Sequence, residues 1–153
     1  MNRKAVIFGI KGTQLTYEEK ILLKKNKPWG IILFSRNIHN LIQLEKLIKE
    51  IKITIGNHLY PILIDQEGGR VSRLNKILDF GLFSQAYFGA LYASDKKNFY
   101  HYYKIYIEKV SSILKKVGIN INTVPVLDVL SDKCSKIIGD RSYSKDPTVV
   151  RYI

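Results

Sequence analysis

Four apolar residues that run straight into a carboxylate and two glycines constrain this chain more than any other feature. Pro61-Ile62-Leu63-Ile64 leads directly into Asp65-Gln66-Glu67-Gly68-Gly69-Arg70-Val71-Ser72-Arg73-Leu74. An apolar run without polar alternation reads as a strand buried on both faces, the kind that builds parallel sheets. It stops at a tip offering an acid, a backbone free to turn tightly, and two arginines three residues apart. Ligands bind at the carboxyl ends of strands in open parallel sheets and in barrels. One segment therefore points to a fold and to a site.

The rest of the chain alternates strand-like and helix-like patterns, as a parallel α/β protein should. Ala5–Gly9 is a first short apolar run. Thr16 with Glu19 fits a capping box that opens a helix carrying Ile21, Leu22 and Leu23 and ending before Pro28. Gly30–Phe34 is the second strand, ending at Ser35-Arg36-Asn37. Asn40, with Gln43 three residues on, caps a helix whose Leu41, Leu44, Leu47, Ile48 and Ile51 share a face. Tyr60–Ile64 is the third strand, and a less regular segment follows. A long helix then places Tyr103, Ile107, Val110, Leu114 and Val117 at steps of four and three, with Gly118 suited to end it. The tyrosines there read as packing residues. Ile119–Val129 is a fourth strand, in which Pro125 implies a bulge or an end. Gly139–Pro147 is a polar loop, and Thr148 starts another helix. No linker marks a domain boundary.

Composition limits the function classes. The 153 residues, 46% hydrophobic and 25% charged, suit one folded domain. The net charge of +12 invites a polyanion reading, but the lysines are spread over the predicted helices and form no block. A solvated basic surface is the plainer reading. The one cysteine, Cys134, cannot close an intrachain disulfide and has no metal-ligand cluster around it, which fits a reducing compartment. The run Ala5–Ile10 is too short for a signal-peptide core, and no stretch is long enough to span a bilayer. The expectation is a cytoplasmic protein without membrane partners.

Polar clusters follow three predicted strands: Arg36-Asn37, Asp65 through Arg73, and Asp128 with Arg141. In a parallel barrel such positions converge on one open face. Carboxylates accept from sugar hydroxyls, and arginine donates in a fixed fork, so the set suits a hydroxyl-rich ligand. The alternative is a network of structural ion pairs that holds the loops, a reading weightier for Glu67 and Asp128 than for Asp65. His39, His58 and His101 stand singly and are assigned no chemistry, and the glycines match no nucleotide fingerprint.

Four segments, in order, resemble the family 3 glycoside hydrolases, in particular their bacterial β-N-acetylglucosaminidase branch, which trims N-acetylglucosamine from cell-wall fragments. They are Gly30-Ile31-Ile32-Leu33-Phe34-Ser35-Arg36-Asn37, Ile64-Asp65-Gln66-Glu67-Gly68-Gly69-Arg70-Val71, Pro125-Val126-Leu127-Asp128-Val129 and Gly139-Asp140-Arg141-Ser142-Tyr143. The resemblance implies the N-terminal part of a (β/α)₈ barrel and hydrolysis of a terminal β-linked N-acetylglucosamine with retention. It implies substrate binding by Asp65, Arg73 and Arg141, with Arg70, Glu67 and Asp128 in support. It implies no cofactor and no metal, a saccharide or muropeptide partner, and a monomeric full-length enzyme. A typical barrel takes ~250 residues. The family's lysine-histidine pair, its acid/base histidine and its aspartate nucleophile are expected beyond Ile153, so no catalytic residue is assigned here. The segment Asp79–Gln85 departs from relatives, which usually place a proline there. A reading from another class is a non-catalytic basic half-barrel that binds a partner chain or nucleic acid.

Overall fold

A computed structural model describes residues 3–131 and 136–153; Cys134 lies outside the described residues. Along the chain run β1 (Lys4–Gly9), α1 (Tyr17–Asn26), β2 (Pro28–Leu33), α2 (Leu41–Ile55), β3 (Ile62–Ile64), α3 (Gln85–Ser94), α4 (Lys96–Val117), β4 (Ile121–Asn122) and α5 (Pro147–Tyr152). Short 3₁₀ turns occupy Ser35–Asn37 and Gly139–Arg141. The described residues gather into two compact units, one reaching Asp65 and including Ser112–Asn122, the other made of Gln66–Ser111 and Thr123–Ile153.

The first unit holds the whole sheet. Its strands lie in chain order, β1-β2-β3-β4, and each neighbouring pair is parallel. Parallel neighbours require a crossover, and α1 and α2 supply the first two. Ile31, Leu33, Ile62 and Ile64 are fully buried, whereas edge strand β1 leaves Val6 and Ile7 36% and 42% exposed. Helix α1 opens with the expected reciprocal cap. The Glu19 N–H donates to Thr16 Oγ1 at 3.2 Å, and the Thr16 N–H donates to Glu19 Oε2 at 2.8 Å. Of its apolar residues only Leu23 is buried, while Ile21 and Leu22 face solvent. Asn40 caps α2 by accepting the Gln43 N–H at 2.9 Å. The buried stripe of α2 is Leu44, Leu47, Ile48 and Ile51, each worth roughly 1.5–3 kcal/mol of burial.

Two predicted strands form in shorter versions. The Tyr60 N–H turns back to the Asn57 carbonyl at 3.2 Å and Pro61 has no donor, so β3 starts only at Ile62. Asn120 then substitutes its side chain for ladder backbone. Its Oδ1 accepts the Ile62 N–H at 2.8 Å, and its Nδ2 donates to the Tyr60 carbonyl at 3.1 Å. Pairing with β4 is left to Leu63 with Ile121 and Ile64 with Asn122. The strand ends before Pro125 rather than at Val129.

The second unit contains α3, which falls inside the segment read from sequence as irregular. Its sequence Gln85-Ala86-Tyr87-Phe88-Gly89-Ala90-Leu91-Tyr92-Ala93-Ser94 is apolar around most of its circumference, so no face stands out by periodicity. Ser84 caps it by accepting the Tyr87 N–H at 3.1 Å. Phe88, Tyr92, Phe99, Tyr143 and Val150 form the local core. Tyr103 adds its ring 4.8 Å from that of Phe88 and 5.0 Å from that of Phe99. Gly89 is needed for close approach, because a Cβ there would run into the Tyr143 carbonyl. Val110, Leu114 and Val117 of α4 are buried as predicted, but Ile107 is 44% exposed. Helix α5 begins at Pro147, one residue before the predicted start, with Asp146 accepting the Thr148 N–H at 2.7 Å.

Candidate functional site

The segment that follows β3 is shaped by its own side chains. Buried Gln66 accepts the N–H groups of Arg73 and Leu74 at 2.8 and 3.0 Å and donates to Ser72 Oγ at 3.0 Å. One amide thus fixes the stretch that carries Arg73. The Glu67 N–H and Val71 carbonyl close the turn at 3.0 Å, with Gly68 and Gly69 at φ +88° and +56°. A Cβ at Gly68 would strike the Phe83 carbonyl, and one at Gly69 would lie 2.8 Å from Ser84 Cβ and 3.3 Å from Asp140 Oδ2. Both glycines therefore answer a dihedral demand and a steric one.

Crossed ion pairs join this turn to Gly139–Arg141. Arg141 donates from Nε to Glu67 Oε2 and from Nη2 to Glu67 Oε1, both at 2.8 Å. Arg70 Nε sits 2.7 Å from Asp140 Oδ1, and its Nη2 donates to the Ile138 carbonyl at 2.9 Å and also reaches the Ile137 carbonyl. The pairs differ in environment. The Glu67 and Arg141 side chains are 5% and 26% exposed, against 42% and 46% for Asp140 and Arg70. Exposed pairs contribute little on their own, whereas a two-toothed pair on a buried carboxylate is strong and directional.

Tyr106 backs the turn by donating its hydroxyl to the Glu67 carbonyl at 3.0 Å. Burial, reinforced by Tyr103, pushes that hydroxyl's pKa up to about 12. The neighbouring Tyr103 and Tyr143 hydroxyls lie 2.6 Å apart, and burial raises both. The Arg141 N–H donates to the Ile138 carbonyl at 2.8 Å. Gln85, with its amide turned to satisfy both neighbours, donates to the Arg141 carbonyl and accepts the Val126 N–H at 3.0 Å.

The structure thus brings Glu67, Arg70 and Arg141 together in the second unit, with Arg73 on the same ordered segment. Asp65 follows β3 directly, at the end of the first unit's first stretch, and is half-buried. Asp128 contributes its carbonyl, which lies 2.6 Å from Ser142 Oγ, and the carboxylate that takes Arg141 is that of Glu67. The Arg36-Asn37 pair is engaged in holding a loop of the first unit. Buried Asn37 donates to the Ile10 and Gly12 carbonyls at 3.1 and 2.9 Å, and Arg36 Nε donates to Ile10 at 3.1 Å. Sequence reasoning passed over Gln66, Tyr106 and Asp140. Gln66 and Asp140 carried a usable signal, each adjoining a named site residue in a segment that resembles the family, whereas Tyr106 carried none. Among the described residues no group of three or more His, Cys, Asp or Glu could hold a metal ion, and no helix is long and apolar enough to cross a membrane.

Residues 6–153 match the family described as glycosyl hydrolase family 3 N terminal domain. A β-hexosaminidase of Xanthomonas campestris is 31% identical over 145 residues, which cover 95% of this chain and 43% of that protein. The crystal structure of native NagZ from Neisseria gonorrhoeae superposes with a TM-score of 0.83 at 31% identity, covering 97% of this chain and 43% of its own. NagZ from the same organism, in complex with N-trifluoroacetyl-D-glucosamine, gives 0.75 at 30% identity, covering 97% and 44%. The chain thus spans less than half the length of these relatives, and its parallel α/β architecture agrees with part of their barrel domain.

Proposed function

We propose that this chain, which belongs to glycosyl hydrolase family 3 as part of the N-terminal domain, supplies sugar-binding groups to a β-N-acetylhexosaminidase. By resemblance, the Asp65 carboxylate accepts hydroxyl hydrogen bonds from the sugar whose glycosidic bond is cut. Arg73 and Arg141 are, by the same resemblance, substrate-binding donors. The reaction is hydrolysis of a terminal β-linked N-acetylglucosamine with retention, which needs a nucleophile and an acid/base. Neither is assigned to residues 1–153. The setting is cytoplasmic recycling of cell-wall fragments, with a muropeptide-type saccharide as substrate, a monomeric enzyme and no cofactor.

The observation that carries this reading is the hold of Glu67 on Arg141, which joins two of the segments that resemble the family. A guanidinium gripped along one edge by a buried carboxylate is a preorganised donor, because its place and plane are set before a ligand arrives. The bound glucosamine derivative in the NagZ relative supports the choice of sugar. The test is hydrolysis of chromogenic glycosides by a protein in which this chain is joined to the rest of a family barrel. Release from the β-N-acetylglucosaminide well above release from the β-glucoside is expected. Equal rates, or none from either in a folded protein, would contradict the assignment.

A further inference from the structure

The two arginines of the crossed pairs differ in what they do. We propose that Glu67 and Arg70 are positioning residues for Arg141: from one four-residue turn they grip both members of Asp140-Arg141 and so aim the Arg141 guanidinium. This inference rests on the reading that Arg141 contacts the sugar.

Three observations carry it. Glu67 meets Arg141 through two parallel bonds of 2.8 Å, which fixes the plane of the guanidinium as well as its place. Arg70 meets the adjacent Asp140 at 2.7 Å and also takes the Ile138 carbonyl at 2.9 Å, so the backbone next to Arg141 is held from the same turn. The turn itself cannot drift. Its glycines are packed against Phe83, Ser84 and Asp140, and the Tyr106 hydroxyl holds the Glu67 carbonyl at 3.0 Å. Charge order adds selectivity. The turn reads acid then base, and its partner reads acid then base, so only the crossed pairing joins opposite charges. A slip that paired Glu67 with Asp140 would bring like charges together.

Held this way, Arg141 presents one fixed edge to the protein and its orientation no longer depends on the ligand. Ordering a rotamer-rich side chain before binding removes a cost otherwise met at association. The loss of Glu67 should then appear chiefly in KM.

The test measures kcat and KM for a chromogenic β-N-acetylglucosaminide in the joined, full-length barrel. Glu67→Gln is expected to raise KM about tenfold with kcat nearly unchanged, and Arg141→Ala to raise it at least as much. In the Arg141→Ala background, Glu67→Gln should change kcat/KM less than twofold, because the group it positions is gone. A general structural role would lower kcat/KM by the same factor in both backgrounds, and that result overturns the proposal. So does an unchanged KM in Glu67→Gln while Arg141→Ala raises it. An unchanged KM in Arg141→Ala overturns the sugar-contact reading, and the inference with it. The exposed pair gives a second check that spares the buried carboxylate. Arg70→Asp and Asp140→Arg should each raise KM, and the double swap, which restores the ion pair but not the bonds from Arg70 to the Ile137 and Ile138 carbonyls, should recover part of the loss. Failure of the swap in a folded protein counts against positioning by charge.

Discussion

Arg141 and Glu67 lie 74 residues apart in sequence and meet through two hydrogen bonds of 2.8 Å each. The carboxylate is buried and the guanidinium only partly so. A pair of this kind cannot be halved cheaply. Removing one partner leaves the other short of solvation, at a cost of ~3–5 kcal/mol.

Arg141→Lys tests what the fork contributes. Lysine keeps the charge but presents a single ammonium, so it cannot reproduce two parallel bonds to Glu67. In a joined barrel the expected outcome is a raised KM for N-acetylglucosaminides. Wild-type kinetics in a folded Arg141→Lys protein would count against a directional contact.

Gly89→Ala sets local propensity against packing. Alanine favours a helix interior by ~1 kcal/mol over glycine. A Cβ at this position, however, runs into the Tyr143 carbonyl, which is backbone and cannot swing aside. Overpacking of that sort costs ~1–3 kcal/mol or more, so the substitution should lower the urea midpoint. A midpoint equal to or above that of the parent would show that α3 and Tyr143 separate easily.

Those two positions also show what the sequence made legible. Thr16, Glu19 and Asn40 act through bonds three residues long, and α2 has a polar face to set off its buried stripe, so helix starts and that core face could be read directly. The strand that ends at Asp65 was visible for the same reason, as an apolar run stopped by charge and glycine. Helix α3 was hidden because it lacks a polar face. The early end of β4 was half-legible, because Pro125 marked it, but its late start was hidden, since the Asn120 side chain captures Ile62 across 58 residues, a contact that no local pattern encodes. At the site, Glu67 and Arg141 were each marked by motif, but the sequence grouped Arg141 with Asp128. Which carboxylate a guanidinium meets is decided by the folded turn, and the Arg70–Asp140 pair beside it spans 70 residues.

The buried tyrosines make stability fall at high pH. An unfolded tyrosine titrates near ~10, whereas burial first, then Tyr103 and Glu67, hold Tyr106 up at about 12. Tyr60 is raised to about 12 as well, by burial against the opposing charge of Arg3. Below about 10 both states keep the proton and these groups leave stability unchanged. Between about 10 and about 12 the unfolded chain releases protons that the folded chain retains, so stability declines as pH rises. Urea midpoints across that window should drop, with a shallower slope in Tyr106→Phe. A slope identical to the parent's would show that Tyr106 titrates alike in both states.

The 153-residue chain by itself should associate. Strand β1 stands at a sheet edge with Val6 and Ile7 exposed, and an unpaired apolar edge is a template for another chain. Sedimentation is expected to give a mass that rises with concentration, and the chain alone should release nothing from a chromogenic N-acetylglucosaminide. A monodisperse monomer with a cooperative urea transition would contradict this expectation.

Asp65 gives the most direct test of the central claim, that this chain carries sugar-binding groups of a family 3 hexosaminidase. The measurement is kcat/KM of Asp65→Ala in a joined barrel, together with its melting temperature. A charge-assisted hydrogen bond contributes ~1.5–3 kcal/mol, so kcat/KM should fall roughly tenfold to a hundredfold while the melting temperature stays near that of the parent. Unchanged kinetics accompanied by a lowered melting temperature would make Asp65 a structural carboxylate and contradict the account.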